Sequence, residues 1–228
     1  MGRYHNHLYG TVAKRGVNVA KIENIIKEYL EYQDKIGRRI GLYRVVSQSF
    51  GITSALYPGS HIDISPSLVI PRVVYVDSFS GTIGFFRNIE LIKAYIDANK
   101  EYVEGCDISF IGQDYSQRLM IEPVDLVISQ YAGFVGQATK DYLKTGGILL
   151  CNDSHGDATI SRFDDDFEFI GVIDRNSGIS DANLDDYFAV PRGRGVDLRH
   201  VMETMKGPKY SLAVENYLFR KIGSSGVQ

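Results

Sequence analysis

The chain alternates short apolar runs with segments of helical periodicity, and this alternation is the feature that most limits its possible folds. From about residue 52 the runs are rich in Ile, Val, Leu and Tyr and are bounded by turn residues, as buried parallel strands are. They read ITSALY, VVYV, DISFI, DLVIS and GILLC. Because parallel neighbours need a connection of helix length, the pattern predicts right-handed crossover units in a doubly wound, mostly parallel α/β sheet with helices on both faces.

Three helices are predicted from apolar residues at helical spacing. The first covers residues 19–36 and ends at Gly37, and the second is NIELIKAYIDAN. The third, around residues 134–142, is expected to end at Gly146-Gly147 with a glycine in the left-handed carboxyl cap. The apolar face of the first helix consists of Val19, Ile22, Ile25, Ile26, Tyr29 and Leu30.

The last third of the chain departs from this alternation. Two runs with a period of two, residues 167–173 and 210–219, predict a C-terminal antiparallel pair. The long segment 174–209 between them is expected to be an insertion that selects the substrate. We therefore expect an N-terminal helical segment, residues 1–40, that packs on or caps the site, and a Rossmann-like domain over residues 41–228.

Composition limits the classes of partner and compartment. The chain has 228 residues, with 25 Lys and Arg against 28 Asp and Glu and a net charge of -3, so it lacks the basic excess typical of nucleic-acid binding, which is disfavoured but not excluded. Cys106 and Cys151 lie far apart in apolar stretches, as free thiols in a reducing compartment do. No apolar run approaches the ~20 residues of a membrane span, and the first residues do not resemble a signal peptide. These observations predict a cytoplasmic protein, with no membrane association and no metal site.

Candidate ligand-binding residues are those that follow each apolar run, because open parallel sheets bind ligands beyond the carboxyl ends of their strands. In chain order they are Tyr57, Pro58, Gly59, Ser60 and His61; Asp77 and Ser78; Gln113, Asp114 and Tyr115; Ser129, Gln130 and Tyr131; and Asn152, Asp153, Ser154 and His155.

Asp77 is the strongest of these candidates. It lies 18 residues after Gly59, close to the spacing of ~20 between a glycine turn and the ribose-binding acid of nucleotide-binding crossover units. A carboxylate at a strand end accepts hydrogen bonds from both ribose hydroxyls. The alternative is that Asp77 caps the following turn and that Pro58-Gly59 is only a turn. A full G-x-G-x-x-G is absent, which favours a ligand without phosphates over a dinucleotide.

Over roughly residues 40–220 the chain resembles the class I S-adenosylmethionine-dependent methyltransferases. The resemblance is carried by ALYPGSHIDIS followed by VVYVD, then VDLVISQYAGF, then YLKTGGILLCND. It implies a seven-stranded sheet that ends in an antiparallel strand, and S-adenosylmethionine as cofactor. It also implies that Tyr57 to Ser60 line the methionine part, that Asp77 with Ser78 holds the ribose hydroxyls, that Asp114 with Tyr115 lies beside the adenine, and that Ser129 and Gln130 border the methyl donor. The family's usual G-x-G-x-G loop is replaced by YPGSH.

The methyl acceptor is open at this stage. The (N/D)-P-P-(Y/F/W) motif of enzymes that methylate exocyclic base nitrogens is replaced by SQYA, and a small molecule is expected. Asp153 and His155 are the candidates for a catalytic base, since the pKa of histidine lies near neutrality. The alternative for both residues is an Asx-type turn. The rival functions are a catalytically inactive Rossmann-like binding or assembly protein and, ranked last, a dinucleotide-dependent oxidoreductase.

Overall fold

An eight-stranded sheet of order β3-β2-β1-β4-β5-β8-β6-β7 forms the centre of the computed structural model, which describes residues 19–174, 178–193, 195–212 and 214–223. Strands β1 to β5 are parallel, β8 is antiparallel to β5 and β6, and β7 is antiparallel to β6. The strands are β1 Ser54–Pro58, β2 Arg72–Val76, β3 Asp107–Ile111, β4 Val124–Ser129, β5 Leu143–Cys151, β6 Phe167–Ile173, β7 Ile179–Ser180 and β8 Asn216–Lys221. The predicted α/β sheet with a C-terminal antiparallel strand is confirmed, and the two-residue β7 adds an edge to the seven strands expected.

Helices cover both faces of this sheet. They are α1 Val19–Ile36, α2 Ile40–Phe50, α3 Ser80–Phe86, α4 Ile89–Asn99, α5 Val135–Thr139, α6 Asp157–Arg162 and α7 Leu198–Thr204. One apolar cluster joins the sheet to α1, α2, α3 and α4, and a second joins the opposite face to α5 and α6. The helix predicted over residues 19–36 is confirmed, with Ile25 and Tyr29 buried and Leu30 exposed; the side chains of Val19 and Ile22 lie outside the described part of the chain.

Alternation along the central strands explains why the apolar runs show no polar face. In β1, Ala55 and Tyr57 belong to the first cluster and Leu56 to the second. Successive side chains of a strand point to opposite faces, and here both faces are covered by helices. Every residue of β1 is therefore buried, whereas the edge strand β3 is mostly exposed or half-buried.

The helix end predicted at Gly146-Gly147 is wrong. Helix α5 ends at Thr139, and both glycines lie inside β5. There β5 bulges away from β4, because Leu143 pairs with Val124 while Ile148 already pairs with Leu126. The positive φ of Gly146, +81°, serves this bulge instead of a helix cap. A glycine pair indicates a left-handed backbone position, and both a helix cap and a β-bulge require such a position.

Candidate functional site

The strand order reverses between β1 and β4, and the crevice at their carboxyl ends is where a doubly wound sheet binds ligands. Gly59 follows β1 in a left-handed conformation, with φ of +62°, and its N–H donates to the Val76 carbonyl at 2.8 Å. A Cβ at this position would collide with the Cβ of Ala132, in the loop after β4. The two loops are therefore in direct contact, and only a residue without a side chain fits between them.

Asp77 connects the loops that follow β1 and β2. Its Oδ2 accepts from the His61 N–H at 2.9 Å and its Oδ1 accepts from the Phe79 N–H at 2.8 Å. The second contact is the turn-capping role that the sequence left open as an alternative. A carboxylate offers about four acceptor sites, so these two hydrogen bonds leave room for two hydroxyl donors. Capping and ribose binding are compatible at this half-buried side chain.

Aromatic rings surround the loop after β1. The His61 ring lies between Tyr32 of α1, with centroids 4.7 Å apart, and Phe79, with centroids 5.9 Å apart. Phe79 is 57% exposed and lies two residues after Asp77, which makes it an apolar surface beside the carboxylate. Ser60 is buried beneath the same loop, and its hydroxyl donates to the His61 carbonyl.

The other residues predicted to bind the nucleoside, Ser78, Asp114 and Tyr115, differ in their surroundings. Ser78 and Asp114 are exposed, and the Ser116 N–H donates to Asp114 Oδ1, which lowers the pKa of that carboxyl. Tyr115 crosses from the β3 loop to the β4 loop, where its hydroxyl donates to the Ala132 carbonyl. Burial raises the pKa of the Tyr115 hydroxyl. The structure thus brings Tyr115 to the Gly59–Ala132 contact and leaves Asp114 on the surface.

Ser129 ends β4 and Gln130 follows it, and their side chains point to different surroundings. The Ser129 hydroxyl donates to the buried Asp157 carboxyl at 2.5 Å, on the side of α6. Gln130 Nε2 donates to Asn216 Oδ1 at 3.1 Å, and Gln130 Oε1 accepts from Asn152 Nδ2 at 3.2 Å. All three amides are buried, so the ends of β4, β5 and β8 are joined by one cluster of hydrogen-bonded amides.

A buried carboxylate that the sequence analysis did not single out organises the other side of β1. Asp63, 0% exposed, accepts from Gln33 Nε2 and the Tyr43 hydroxyl at 2.9 Å each, from the Ser65 N–H at 3.1 Å and from the Tyr57 hydroxyl at 3.3 Å. The Tyr57 side chain consequently points among the helices, and only its backbone reaches the strand end. The acid inside the apolar stretch HIDIS was the available signal, but its donors come from residues 33 and 43.

The predicted catalytic pair does not form one hydrogen-bonded unit. Asp153 accepts from the Thr159 N–H at 2.7 Å and hydroxyl at 2.8 Å, and burial raises the pKa of this carboxyl. His155 Nδ1 lies 2.9 Å from the Ser154 hydroxyl. The Asx turn of this loop is formed by Asn152, whose Oδ1 accepts from the N–H and hydroxyl of Ser154. Asp153 is thus hydrogen-bonded to the start of α6, and His155 is not hydrogen-bonded to Asp153.

A cleft of about 700 Å³ opens beside the amide cluster. The junction of α1 and α2 forms one wall, and residues at the carboxyl end of β6 and at the start of β8 form the other. It is lined by Lys35, Ile36, Gly37, Arg38, Arg39, Gly41, Leu42, Val45, Gln130, Ile173, Asp174, Gly178, Glu215 and Asn216. This volume suits a small organic molecule.

Within the described residues, we find no group of three or more His, Cys, Asp and Glu side chains arranged to hold a metal ion. Of the three adjacent acids at 164–166, Asp164 and Asp166 both pair with Lys140. None of the helices in the described ranges combines the length and the apolarity needed to cross a membrane.

Similar proteins were found only among solved structures. No protein-family model matches the chain, and no curated protein matches it. The N-methyltransferase NodS from Bradyrhizobium japonicum WM9, in complex with S-adenosyl-L-homocysteine, is 19% identical over 55% of this chain, with a TM-score of 0.38. The chain spans 64% of the length of that structure.

Two further structures cover more of the chain. The plantazolicin methyltransferase BpumL in complex with SAH is 11% identical over 96% of this chain and 100% of its own, with a TM-score of 0.48. An O-methyltransferase from Bacillus cereus in complex with SAH is 9% identical over 90% of this chain and 92% of its own, also with a TM-score of 0.48. Likenesses at this level carry no conclusion about activity.

Proposed function

We propose that the chain is an S-adenosylmethionine-dependent methyltransferase that acts on a small molecule. The observation that carries the proposal is Asp77, at the carboxyl end of the strand next to the β1/β4 crevice, with acceptor sites left for two ribose hydroxyls. The sheet supports it, because strand β8 lies antiparallel between β5 and β6 at the end of a parallel sheet, as the resemblance implies. The exposed ring of Phe79 offers a stacking surface beside that carboxylate.

The contact between Gly59 and Ala132 limits where the methionine end of the cofactor can lie. The ligand does not pass between these two residues, since a single Cβ already fills the space. In this proposal the methionine end lies toward Gln130, which lines the cleft. Among the residues predicted to bind the cofactor, we therefore place Gln130 beside the methyl donor. We assign only a structural role to Ser129 and to the Tyr57 side chain.

Methyl transfer needs few groups from the protein. When bound, the cofactor would supply an activated methyl group on its sulfonium sulfur, and transfer of that group to the acceptor would leave S-adenosylhomocysteine. The protein holds the two ligands in line and removes a proton where the acceptor carries one. We assign the proton-accepting role to His155, because Asp153 is engaged by Thr159. The segment 1–40 covers the site in this proposal, with residues 1–18 outside the described part of the chain, and a cytoplasmic location fits it.

Titration calorimetry with S-adenosylmethionine and S-adenosylhomocysteine tests the proposal, after mass spectrometry of any small molecule that co-purifies. We expect micromolar binding, on the order of -8 kcal/mol. Asp77→Asn should weaken binding of both ligands and of adenosine by about tenfold or more, because a charged acceptor of ribose hydroxyls is lost. Asp97→Asn, a change at an exposed acid of α4, is the matched control. Unchanged affinity in Asp77→Asn would refute the ribose contact.

A non-catalytic binding or assembly protein is the second candidate. The direct contact of Gly59 with Ala132, together with the Tyr115 hydrogen bond to Ala132, favours it, because both contacts hold the crevice closed. A folded sample that binds neither cofactor form nor adenosine would support this alternative.

A further inference from the structure

A second cavity, of about 680 Å³, lies within the long segment 174–209. The residues that line it fall between positions 190 and 209, and they are different from those that line the cleft beside the amide cluster. We call this cavity the insertion pocket. Its largely apolar walls are formed by Val190, Pro191, Val196, Val201 and Pro208. A cavity of this size and lining suits a small organic molecule rather than a single ion.

The insertion pocket is attached to the loop that follows β5. Val201 of α7 is buried against Gly156, where an added Cβ would lie 2.5 Å from Val201 Cγ1. The backbone of Gly207 also lies against Gly156, and an added Cβ at Gly207 would collide with the Asp153 carboxylate. These close contacts fix α7 and the residues after it on the sheet, so the pocket is preformed.

Positively charged side chains line the pocket beside its apolar walls. They are Arg192, Lys206 and Lys209, with His200 as a fourth group that takes up a proton near neutrality. Asp197 is the one acid among the described lining residues, and its Oδ1 accepts from the His200 N–H at 3.0 Å. With His200 neutral, the lining side chains thus carry an excess of two positive charges, although the whole chain has a net charge of -3.

This excess charge is not neutralised by other parts of the described chain. Within the described ranges, none of the four basic side chains makes an ion pair or a hydrogen bond. The Asp153 carboxylate lies against Gly207, but both of its oxygens accept from Thr159. Glu203 of α7 is exposed and does not line the pocket. The positive charge is therefore available to a ligand.

The charge and the apolar walls together indicate the class of ligand. A phosphate monoester carries a charge of about -1.5 to -2 at neutral pH, which matches the excess of positive charge. A carboxylate would compensate only half of that excess, and a polyphosphate would exceed it. An apolar group on the ester would cover the apolar walls, which inorganic phosphate alone would leave in contact with water.

We infer that the insertion pocket binds a small molecule in which a phosphate monoester is attached to an apolar body. Arg192, Lys206 and Lys209 bind the phosphate group, and the valine and proline side chains contact the rest of the molecule. The inference goes beyond the proposed function, because this recognition requires neither the methyl donor nor Asp77.

Calorimetry of the full chain at constant ionic strength tests the ligand class. The probes are phenyl phosphate, naphthyl phosphate and hexyl phosphate, each beside its parent alcohol, together with inorganic phosphate and phenylacetate. We expect at least one ester to bind about tenfold or more tightly than inorganic phosphate and than phenylacetate, and its alcohol to show no measurable binding.

A pair of double variants tests the site. Arg192→Gln/Lys206→Gln removes two charges from the pocket at exposed positions and should weaken binding of that ester by about tenfold or more. Arg87→Gln/Arg220→Gln is the matched control, because it removes the same charge from exposed positions outside the pocket. The single variant Lys209→Gln should show a smaller loss in the same direction, and it serves as the test if the first double variant does not fold.

Three outcomes would overturn the inference: no ester binds more tightly than inorganic phosphate, phenylacetate binds as tightly as the esters, or the control pair loses as much affinity as the pocket pair. A native protein that binds an ester but neither S-adenosylmethionine nor S-adenosylhomocysteine would support the insertion pocket and contradict the proposed cofactor. The two failures are therefore distinguishable.

Discussion

Gly59 meets two separate requirements that no other residue satisfies together. Its φ of +62° lies in the left-handed region, and the position of its absent Cβ is filled by Ala132. The first requirement is a property of the backbone and the second a property of the neighbouring loop. Both act at the point where the loops after β1 and β4 meet.

Gly59→Ala should lower the free energy of unfolding by at least about 2 kcal/mol, from left-handed strain of about 1 to 2 kcal/mol and from the collision. Urea denaturation measures the loss. The double variant Gly59→Ala/Ala132→Gly removes the collision and should recover only part of it. Gly84→Ala is the control, because nothing lies within 4 Å of its added Cβ. A full recovery in the double variant would show that the backbone strain is negligible.

Residues at the strand ends were accessible to sequence reasoning, while their partners were not. The order of the apolar runs gave the positions of Gly59 and Asp77, because a short run must end in a turn. The contacts of Asp63 depend on how the α1–α2 junction packs against β1, and no local spacing encodes that. The sequence predicts the loop that contains Asp153. It does not predict the hydrogen bonds to Thr159, because they depend on where α6 begins.

Helix α1 is attached to the sheet through polar contacts as well as apolar ones. Gln33 donates to Asp63, and the Tyr29 hydroxyl lies 3.0 Å from that of Ser65. Asp63 and Ser65 both lie in the segment between β1 and β2. This attachment fixes the helix whose C-terminal end lines the cleft, so the geometry of the cleft depends on it.

Gln33→Ala should lower the free energy of unfolding by on the order of 1 to 3 kcal/mol, since it removes a donor from a buried carboxylate. Gln48→Ala, at an exposed position of α2, should change it by less than about 0.5 kcal/mol. Chemical denaturation of both variants at neutral pH makes the comparison. Similar losses in the two variants would mean that the Gln33 contact adds nothing beyond helix propensity.

Element types were predictable where periodicity extends over several turns or a full strand. The helix over residues 19–36 and the strands of the parallel sheet follow from such patterns. Glycines gave the wrong helix end at residue 146, because a bulge and a cap place the same demand on φ. The two-residue β7 has no period to detect, and it exists because it pairs with β6.

At the scale of the whole molecule, Asp157 makes stability depend on pH. It is fully buried, accepts hydrogen bonds from Ser129 and from the Gly136 N–H, and so joins β4, α5 and α6. Burial raises the pKa of this carboxyl to about 7, although its hydrogen bonds act in the opposite direction and lower the pKa. Between the unfolded value near 4 and about 7, the native state holds a proton that the unfolded chain releases. The stabilising contribution is therefore complete below pH 4 and is lost as the pH rises through 7.

Asp157→Asn should remove this dependence, because an amide can donate to Ser129 and accept from Gly136 without titrating. Relative to the native protein, the variant should gain about 3 kcal/mol between pH 5 and pH 8, because about two pKa units of the shift fall in that window. Denaturation curves at four pH values across that range test it, with the exposed Asp165→Asn as control. Parallel pH profiles for the native protein and Asp157→Asn would contradict the assignment.

The whole-molecule topology was predictable because alternating strands and helices leave few ways to close a parallel sheet. The fold class and the edge that carries the candidate site follow from that alternation, whereas the antiparallel end follows from the two runs with a period of two. The cleft was not predictable, because its walls come from residues 35–39, 41, 42, 45, 130, 173, 174, 178, 215 and 216, which are brought together only by the complete sheet.

The bulge in β5 has a practical consequence. It lies at the amino end of β4, so the exposed residues 144–146 are on the edge of the sheet opposite the crevice and the cleft. Cysteine at Thr145 would be an exposed thiol, while burial raises the pKa of both native thiols, Cys106 and Cys151, and lowers their reactivity. A surface linker attached there would present the edge that carries the candidate site to solution in a uniform orientation.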